Sequence, residues 1–206
     1  MKHQIDTIIF DLGGVLVDWK PEYVYRKVFN NDEEKVQWFL RTVCTPEWNI
    51  EQDGGRTIEE AETIKIAEFP QYENWILLFY KEWPQMFSGV IAENVALFKN
   101  LKATNNYKIY ALTNWSAEKW DVALKLFPFF NNFDGVVVSG QEKTRKPFPE
   151  IYNIILKRYH INPENAIFID DNEENVNAAK KLKLNGIHYK THTQLLKSLH
   201  THKIIF

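Results

Sequence analysis

The chain has 206 residues, 45% of them hydrophobic and 25% charged, with a formal net charge of -2 at pH 7. That length buries a full core and the composition carries no disordered or collagen-like bias, while the mixed charge, without a run of Lys or Arg, gives no sign of a nucleic-acid surface and points to small-molecule partners. The single cysteine, Cys44, excludes an intramolecular disulfide; at the end of the apolar stretch 36–43 it reads as a small buried hydrophobe.

The N-terminus reaches only the short apolar run Ile8-Ile9-Phe10, too little for a signal-peptide core, and runs such as 75–80 fall short of a membrane span. A cytoplasmic protein with no membrane partner is expected, as a monomer or homodimer. The run 7–10 itself suits a strand buried on both faces of a parallel sheet. Residues 19–83 then offer helical segments and no strand, one of them opening on the capping-box pattern Thr57-Ile58-Glu59-Glu60. After it, helical patterns over 93–101, 117–126, 149–159 and 173–184 alternate with apolar runs over 109–112, 135–138 and 166–169 and a weaker one over 186–189. Pro149 fits a first helical turn, and Asp171 or Asn172 fits the cap of the helix that follows. The alternation predicts an α/β fold, a doubly wound parallel sheet formed by residues 1–18 and 86–206, with residues 19–85 inserted as a small helical cap domain.

In an open parallel sheet the ligand site lies beyond the carboxyl ends of the strands. There the sequence places Asp11-Leu12-Gly13-Gly14, Thr113-Asn114, Lys146 in Thr144-Arg145-Lys146-Pro147, and Asp170-Asp171-Asn172. Taken singly, each has an ordinary reading as a turn, a helix cap or a solvated side chain. Together they collect carboxylates, a hydroxyl and an ammonium at one sheet edge. A carboxylate can attack phosphorus and split hydrolysis into two steps. Attack on a dianionic group needs its charge cancelled, which Mg²⁺ held by carboxylates does. Thr113 and Lys146 suit the transferring phosphoryl oxygens. His188 and His192 are spaced i, i+4 but lack a third ligand, so no zinc site is expected.

The ordered set, Ile8 to Asp18, Leu112-Thr113-Asn114, Lys146-Pro147 and Phe168 to Asn172, resembles the four motifs of the haloacid dehalogenase superfamily, and the insert resembles that superfamily's helical cap. The resemblance implies Asp11 as nucleophile, Thr113, Asn114 and Lys146 around the phosphoryl group, and Mg²⁺ bound by Asp11, Asp170 and the Gly13 carbonyl, with Asp171 in support. It implies a phosphatase of small phosphorylated metabolites. One departure stands out: most such phosphatases carry a second aspartate where this chain has Gly13. A branch resembling bacterial α-D-glucose-1-phosphate phosphatases shares the Asp-Leu-Gly opening and the closing Asp-Asp-Asn. Without an acid at position 13, good leaving groups should be preferred.

Two other readings stand beside it. A 2-haloacid dehalogenase attacks carbon with the same aspartate and needs no acid for its halide, but the dehalogenases are metal-independent and usually carry Ser and Asn where this chain has Asp170-Asp171. A phosphate-ligand-binding protein without turnover is the third, since a fold does not by itself guarantee chemistry. Specificity is expected in the cap, where residues 51–56 read as a polar, glycine-rich loop. There Asp53 is placed to meet a sugar hydroxyl and Arg56 a second anionic group, unless the loop is only a solvated turn.

Overall fold

The structure, a computed structural model, describes residues 4–206. Its strands in chain order are β1 (Thr7–Phe10), β2 (Val17–Trp19), β3 (Phe87–Val90), β4 (Lys108–Thr113), β5 (Gly135–Val138), β6 (Ala166–Asp170) and β7 (Asn185–His188). Five of them form one parallel sheet in the order β5-β4-β1-β6-β7, with β1 at its centre. Successive side chains of a strand point to opposite faces, so Ile8 and Phe10 pack into one apolar layer and Ile9 into the other, all fully buried. That double burial is why these strands read as unbroken apolar runs.

The insert contributes helices α1 (Glu22–Val28), α2 (Glu33–Thr42), α3 (Pro46–Asp53), α4 (Ile58–Glu68) and α5 (Glu73–Lys81). The core contributes α6 (Ala92–Thr104), α7 (Trp120–Leu126), α8 (Ser139–Glu142), α9 (Pro149–Arg158), α10 (Glu173–Lys181) and α11 (His192–Thr201). Leu195 and Leu199 of α11 join the layer of Ile8 and Phe10, while Ile151, Tyr152 and Ile155 of α9 join the layer of Ile9. The insert has an aromatic centre in which Tyr25 lies 4.7 Å from Phe39 between ring centroids and Phe29 lies 4.8 Å from Trp75. Two of its helices start on threonine caps: Thr45 Oγ1 accepts from Trp48 N at 3.2 Å, and Thr57 Oγ1 from Glu60 N at 3.1 Å as the capping pattern there predicts.

The structure adds elements that the apolar pattern does not announce. β2 and β3 pair antiparallel as a short ribbon on either side of the insert, with an irregularity at Asp18/Trp19. They are short and half-exposed, so they lack the continuous apolar signature of the sheet. Residues 117–119 form a 3-10 turn ahead of α7, and α10 stops at Lys181 before the left-handed Lys183 at φ 69°. Residues 51–56, read as a loop, are instead the last turn of α3 followed by Gly54 and Gly55; only the latter two break the helix.

Candidate active site

The carboxyl ends of β1 and β6 bring Asp11 and Asp170 to either side of Lys146. The Lys146 ammonium stands 2.9 Å from Asp11 Oδ1 and 2.7 Å from Asp170 Oδ2. All three residues are buried, Lys146 to 1% exposure. Two carboxylates thus share one cation out of water, an arrangement that is costly unless hydrogen bonds satisfy the remaining oxygens. For Asp170 they do so: Asn172 N donates to Oδ1 at 2.8 Å and Asn175 Nδ2 lies 3.1 and 3.2 Å from its two oxygens; Asp11 takes a second bond at the same Oδ1, from Leu12 N at 2.7 Å. Burial pushes the Asp11 carboxyl up to about 8, with Lys146 pulling against that shift and Asp170 and Asp171 adding to it. Burial alone would lower the Lys146 ammonium, but Asp11 and Asp170 outweigh it and hold it above its ordinary range.

Asp171 completes a group of three acids. One carboxylate oxygen each of Asp11, Asp170 and Asp171 lies within 4.8 Å of the others. Such a donor set fits a hard divalent cation, and an added positive charge reverses the repulsion that raises Asp11. The position of Asp171 depends on Gly14, whose φ is 68° and where a Cβ would stand 2.0 Å from Asp171 Oδ2. His188 Nε2 is 3.0 Å from the Asp171 carbonyl, so this histidine braces the loop.

Thr113 ends β4 beside the cluster. It is 1% exposed, and among the described residues its Oγ1 has no hydrogen-bond partner. A buried hydroxyl without a partner costs free energy, and a phosphoryl oxygen is a partner that would relieve it. Asn114 serves the scaffold: its side chain accepts from Lys146 N at 2.8 Å and donates to Lys146 O at 3.0 Å. That pair of bonds sets the backbone from which Lys146 reaches inward. Ser139 Oγ accepts from Trp115 N at 2.9 Å, fixing the chain just past Thr113-Asn114.

Above the sheet edge lies a cavity of about 80 Å³, bordered by Gly13 and Asn114 from the core and by Asp53 and Tyr80 from the insert. The rest of its wall is mostly aromatic, Trp19, Trp83, Phe87 and Trp115, with Asn49 and Ser116 beside them. The indole N–H groups of Trp19 and Trp115 are buried and, among the described residues, unpartnered. Gly13 opens onto free space, with nothing within 4 Å of where its Cβ would stand. Of the residues read from the sequence, Gly13, Asp53 and Asn114 border this cavity, while Asp11, Lys146, Asp170 and Asp171 form the buried cluster and Thr113 ends β4. Arg56 does not join them. Its Nε donates to Gln52 Oε1 at 2.8 Å and its Nη2 to the Trp48 carbonyl at 2.9 Å, so its charge ties α3 to the turn that follows.

Asn175 and the aromatic wall are absent from the sequence-derived site. Asn175 lies one turn into α10 on the face that carries the buried Val176 and Ala179. An amide on a buried face signals a polar partner beneath it. The aromatic residues come from β2, from the segment that leads from α5 into β3, and from the turn after β4, which are distant from one another in the chain.

The profile of the haloacid dehalogenase-like hydrolases matches residues 5–183. The chain belongs to this family. It is 28% identical over 195 residues to the phosphorylated carbohydrates phosphatase of Thermotoga maritima, covering 92% of this chain and 87% of that protein. It is 30% identical over 189 residues to the sesquiterpene phosphatase AstK of Aspergillus oryzae, covering 87% of each. Among solved structures, a family enzyme of Bacteroides thetaiotaomicron in complex with magnesium and inorganic phosphate superposes with a TM-score of 0.67 at 25% identity, over 90% of this chain and 94% of that one. As a family member the chain is a hydrolase built on the expected five-stranded core with a helical insert.

Proposed function

We propose that this hydrolase is a magnesium-dependent phosphatase that acts on small phosphorylated metabolites through a phosphoryl group carried on Asp11. The observation that carries the reading is the buried Asp11–Lys146–Asp170 cluster with the unpartnered Thr113 hydroxyl beside it. Asp11 is the nucleophile, its oxygen attacking phosphorus while the ester oxygen leaves. Thr113 Oγ1 and Lys146 Nζ hold the transferring oxygens, the first by a hydrogen bond and the second as a point charge. Magnesium held by Asp11, Asp170 and the Gly13 carbonyl, with Asp171 beside them, would neutralise the phosphoryl charge against which Asp11 moves. A relative acting on phosphorylated carbohydrates and another acting on a sesquiterpene phosphate both support phosphomonoester chemistry, with different leaving groups.

The leaving group lies in the aromatic-walled cavity. Flat apolar walls combined with spare indole donors and the polar tips of Asn49 and Asp53 suit the mixed faces of a sugar or polyol. Sugar phosphates are therefore the preferred substrates in this reading. The paired acids Asp170 and Asp171 weigh against the dehalogenase alternative, whose attack on carbon calls for no cation. Phosphate release from a panel of sugar phosphates, prenyl phosphates, nucleotides and haloacids, with magnesium or with EDTA, tests it. Magnesium-dependent release, highest for sugar phosphates, is expected. Halide release insensitive to EDTA would replace the reading with the dehalogenase. Binding of phosphate esters without release of phosphate would replace it with a ligand-binding protein.

A further inference from the structure

The insert docks on the core around the end of α3, and Asp53 is the residue at that end. Glu51 Oε1 meets Arg145 Nη2 at 3.4 Å on one side. On the other, Gly55 takes φ 104° so close to the core that an added Cβ would lie 3.1 Å from Lys143 Cγ and 3.3 Å from the Gly140 carbonyl. Further on, Ile58 N donates to Glu118 Oε1 at 2.7 Å, and from the core Lys119 Nζ donates to the Tyr80 carbonyl at 3.0 Å. Asp53 is thus held over the cavity by contacts on both flanks and is not left on a mobile tip.

The chemistry of a phosphate ester with an alkoxide leaving group asks for a proton at that oxygen. Two titratable side chains border the cavity, Asp53 and Tyr80. The Tyr80 hydroxyl is committed, donating to Asn49 Oδ1 at 2.9 Å and accepting from Gln52 Nε2 at 2.9 Å, and burial drives its pKa upward. The Lys146 ammonium is committed to Asp11 and Asp170. Position 13 has open space and no side chain. Among the described residues bordering the cavity, Asp53 is the remaining acid.

We propose that Asp53, carried by the insert, is the general acid and base of the reaction, serving the leaving-group oxygen from across the cavity. The proposal rests on the phosphatase reading. In the first step Asp11 Oδ bonds to phosphorus, the bond from phosphorus to the ester oxygen breaks, and the Asp53 carboxyl gives its proton to that oxygen, releasing the alcohol. In the second step the Asp53 carboxylate takes a proton from a water whose oxygen bonds to phosphorus. The bond from phosphorus to Asp11 breaks, and inorganic phosphate departs with Asp11 ionised and Asp53 protonated as at the start. Burial pushes the Asp53 carboxyl up to about 7, while Arg145, Lys146 and the Ser116 N–H pull it down. Near neutrality it therefore holds the proton part of the time, as a group used in both directions must.

The test is a leaving-group series, alkyl phosphates through phenyl phosphates to p-nitrophenyl and acetyl phosphate, measured with magnesium on the wild type, Asp53→Asn and the double variant Gly13→Asp/Asp53→Asn, each checked by thermal melt. In the wild type, log kcat/KM should vary little with leaving-group pKa. In Asp53→Asn it should fall on the order of a hundredfold for alkyl phosphates and little for acetyl phosphate, while kcat drops for every substrate limited by the second step. The double variant should regain part of the alkyl activity, since nothing stands within 4 Å of a Cβ at position 13. Equal loss on every kcat/KM value, or no loss, would overturn the role of Asp53 and leave the phosphatase reading intact. If Asp53→Asn fails to fold, the wild-type series decides: a shallow slope supports the proposal and a steep one overturns it. No release of phosphate by the wild type from any ester would instead remove the phosphatase reading and the proposal with it.

Discussion

The sheet edge and the helical insert hold their carboxylates with different partners. Asp11 and Asp170 are locked to Lys146 within 2.9 Å and held further by Leu12 N on Asp11 and by Asn172 and Asn175 on Asp170, a rigid floor. Asp53 hangs from the end of α3 among aromatic rings, with Arg145 and Lys146 as its nearby cations. Burial raises both Asp11, to about 8, and Asp53, to about 7; what separates these chemically identical groups is the partner, a shared Lys146 ammonium in the floor and the Ser116 N–H at the insert.

The floor should be unforgiving. Asp11→Asn should lower phosphate release by on the order of a thousandfold or more while the melting temperature stays near wild type, and EDTA should stop the wild type reversibly. Activity in the variant within a few fold of wild type would remove the nucleophile from the floor. Thr113→Val, nearly isosteric, should lower kcat/KM by roughly tenfold to a hundredfold through loss of one donor to the phosphoryl group. Because the hydroxyl is buried without a protein partner, the same change should leave the melting temperature equal or higher. A fall in melting temperature of several degrees would show that the hydroxyl serves the fold.

The insert should respond more gently, and through pH. Asp53 is raised from an ordinary 3.8 to about 7, so the folded protein holds a proton there that the unfolded chain releases. The stability this adds is complete below pH 4 and is lost as pH rises through 7. Relative to Asp53→Asn, the wild type should thus lose a few degrees of melting temperature between pH 4 and 7. A parallel pH course for the two proteins would mean that Asp53 titrates as an exposed acid. The smallest effect is expected at the docking contact, where Glu51 is exposed: Glu51→Gln should cost under about 1 kcal/mol and shift KM by less than about threefold.

The same contrast governs what the sequence discloses. The sheet is legible because strands buried on both faces are apolar without interruption, and a parallel sheet fixes where chemistry must lie, so Asp11 just after β1, Thr113 and Asp170 at the ends of β4 and β6, and Lys146 between α8 and α9 stand out. The cavity is not legible. Trp19, the segment from Tyr80 to Phe87, and Trp115 are far apart in the chain and become neighbours only when the β2–β3 ribbon closes. Asp53 and Arg56 illustrate the limit: three residues apart, they look equally available, but the turn at Gly54-Gly55 sends the first to the cavity and leaves the second bonded to Gln52 and Trp48. Tertiary docking decides that, and local pattern carries no trace of it.

The nucleophile itself is best tested by trapping. Wild-type protein mixed with magnesium and a sugar 1-phosphate or p-nitrophenyl phosphate, quenched in acid within the first turnover, digested and examined by mass spectrometry, should carry a phosphoryl adduct on the peptide that contains Asp11. That adduct should vanish on longer incubation and never form in Asp11→Asn. Phosphate released at full rate with no adduct on that peptide, or an adduct placed on another residue, would contradict the assignment of Asp11.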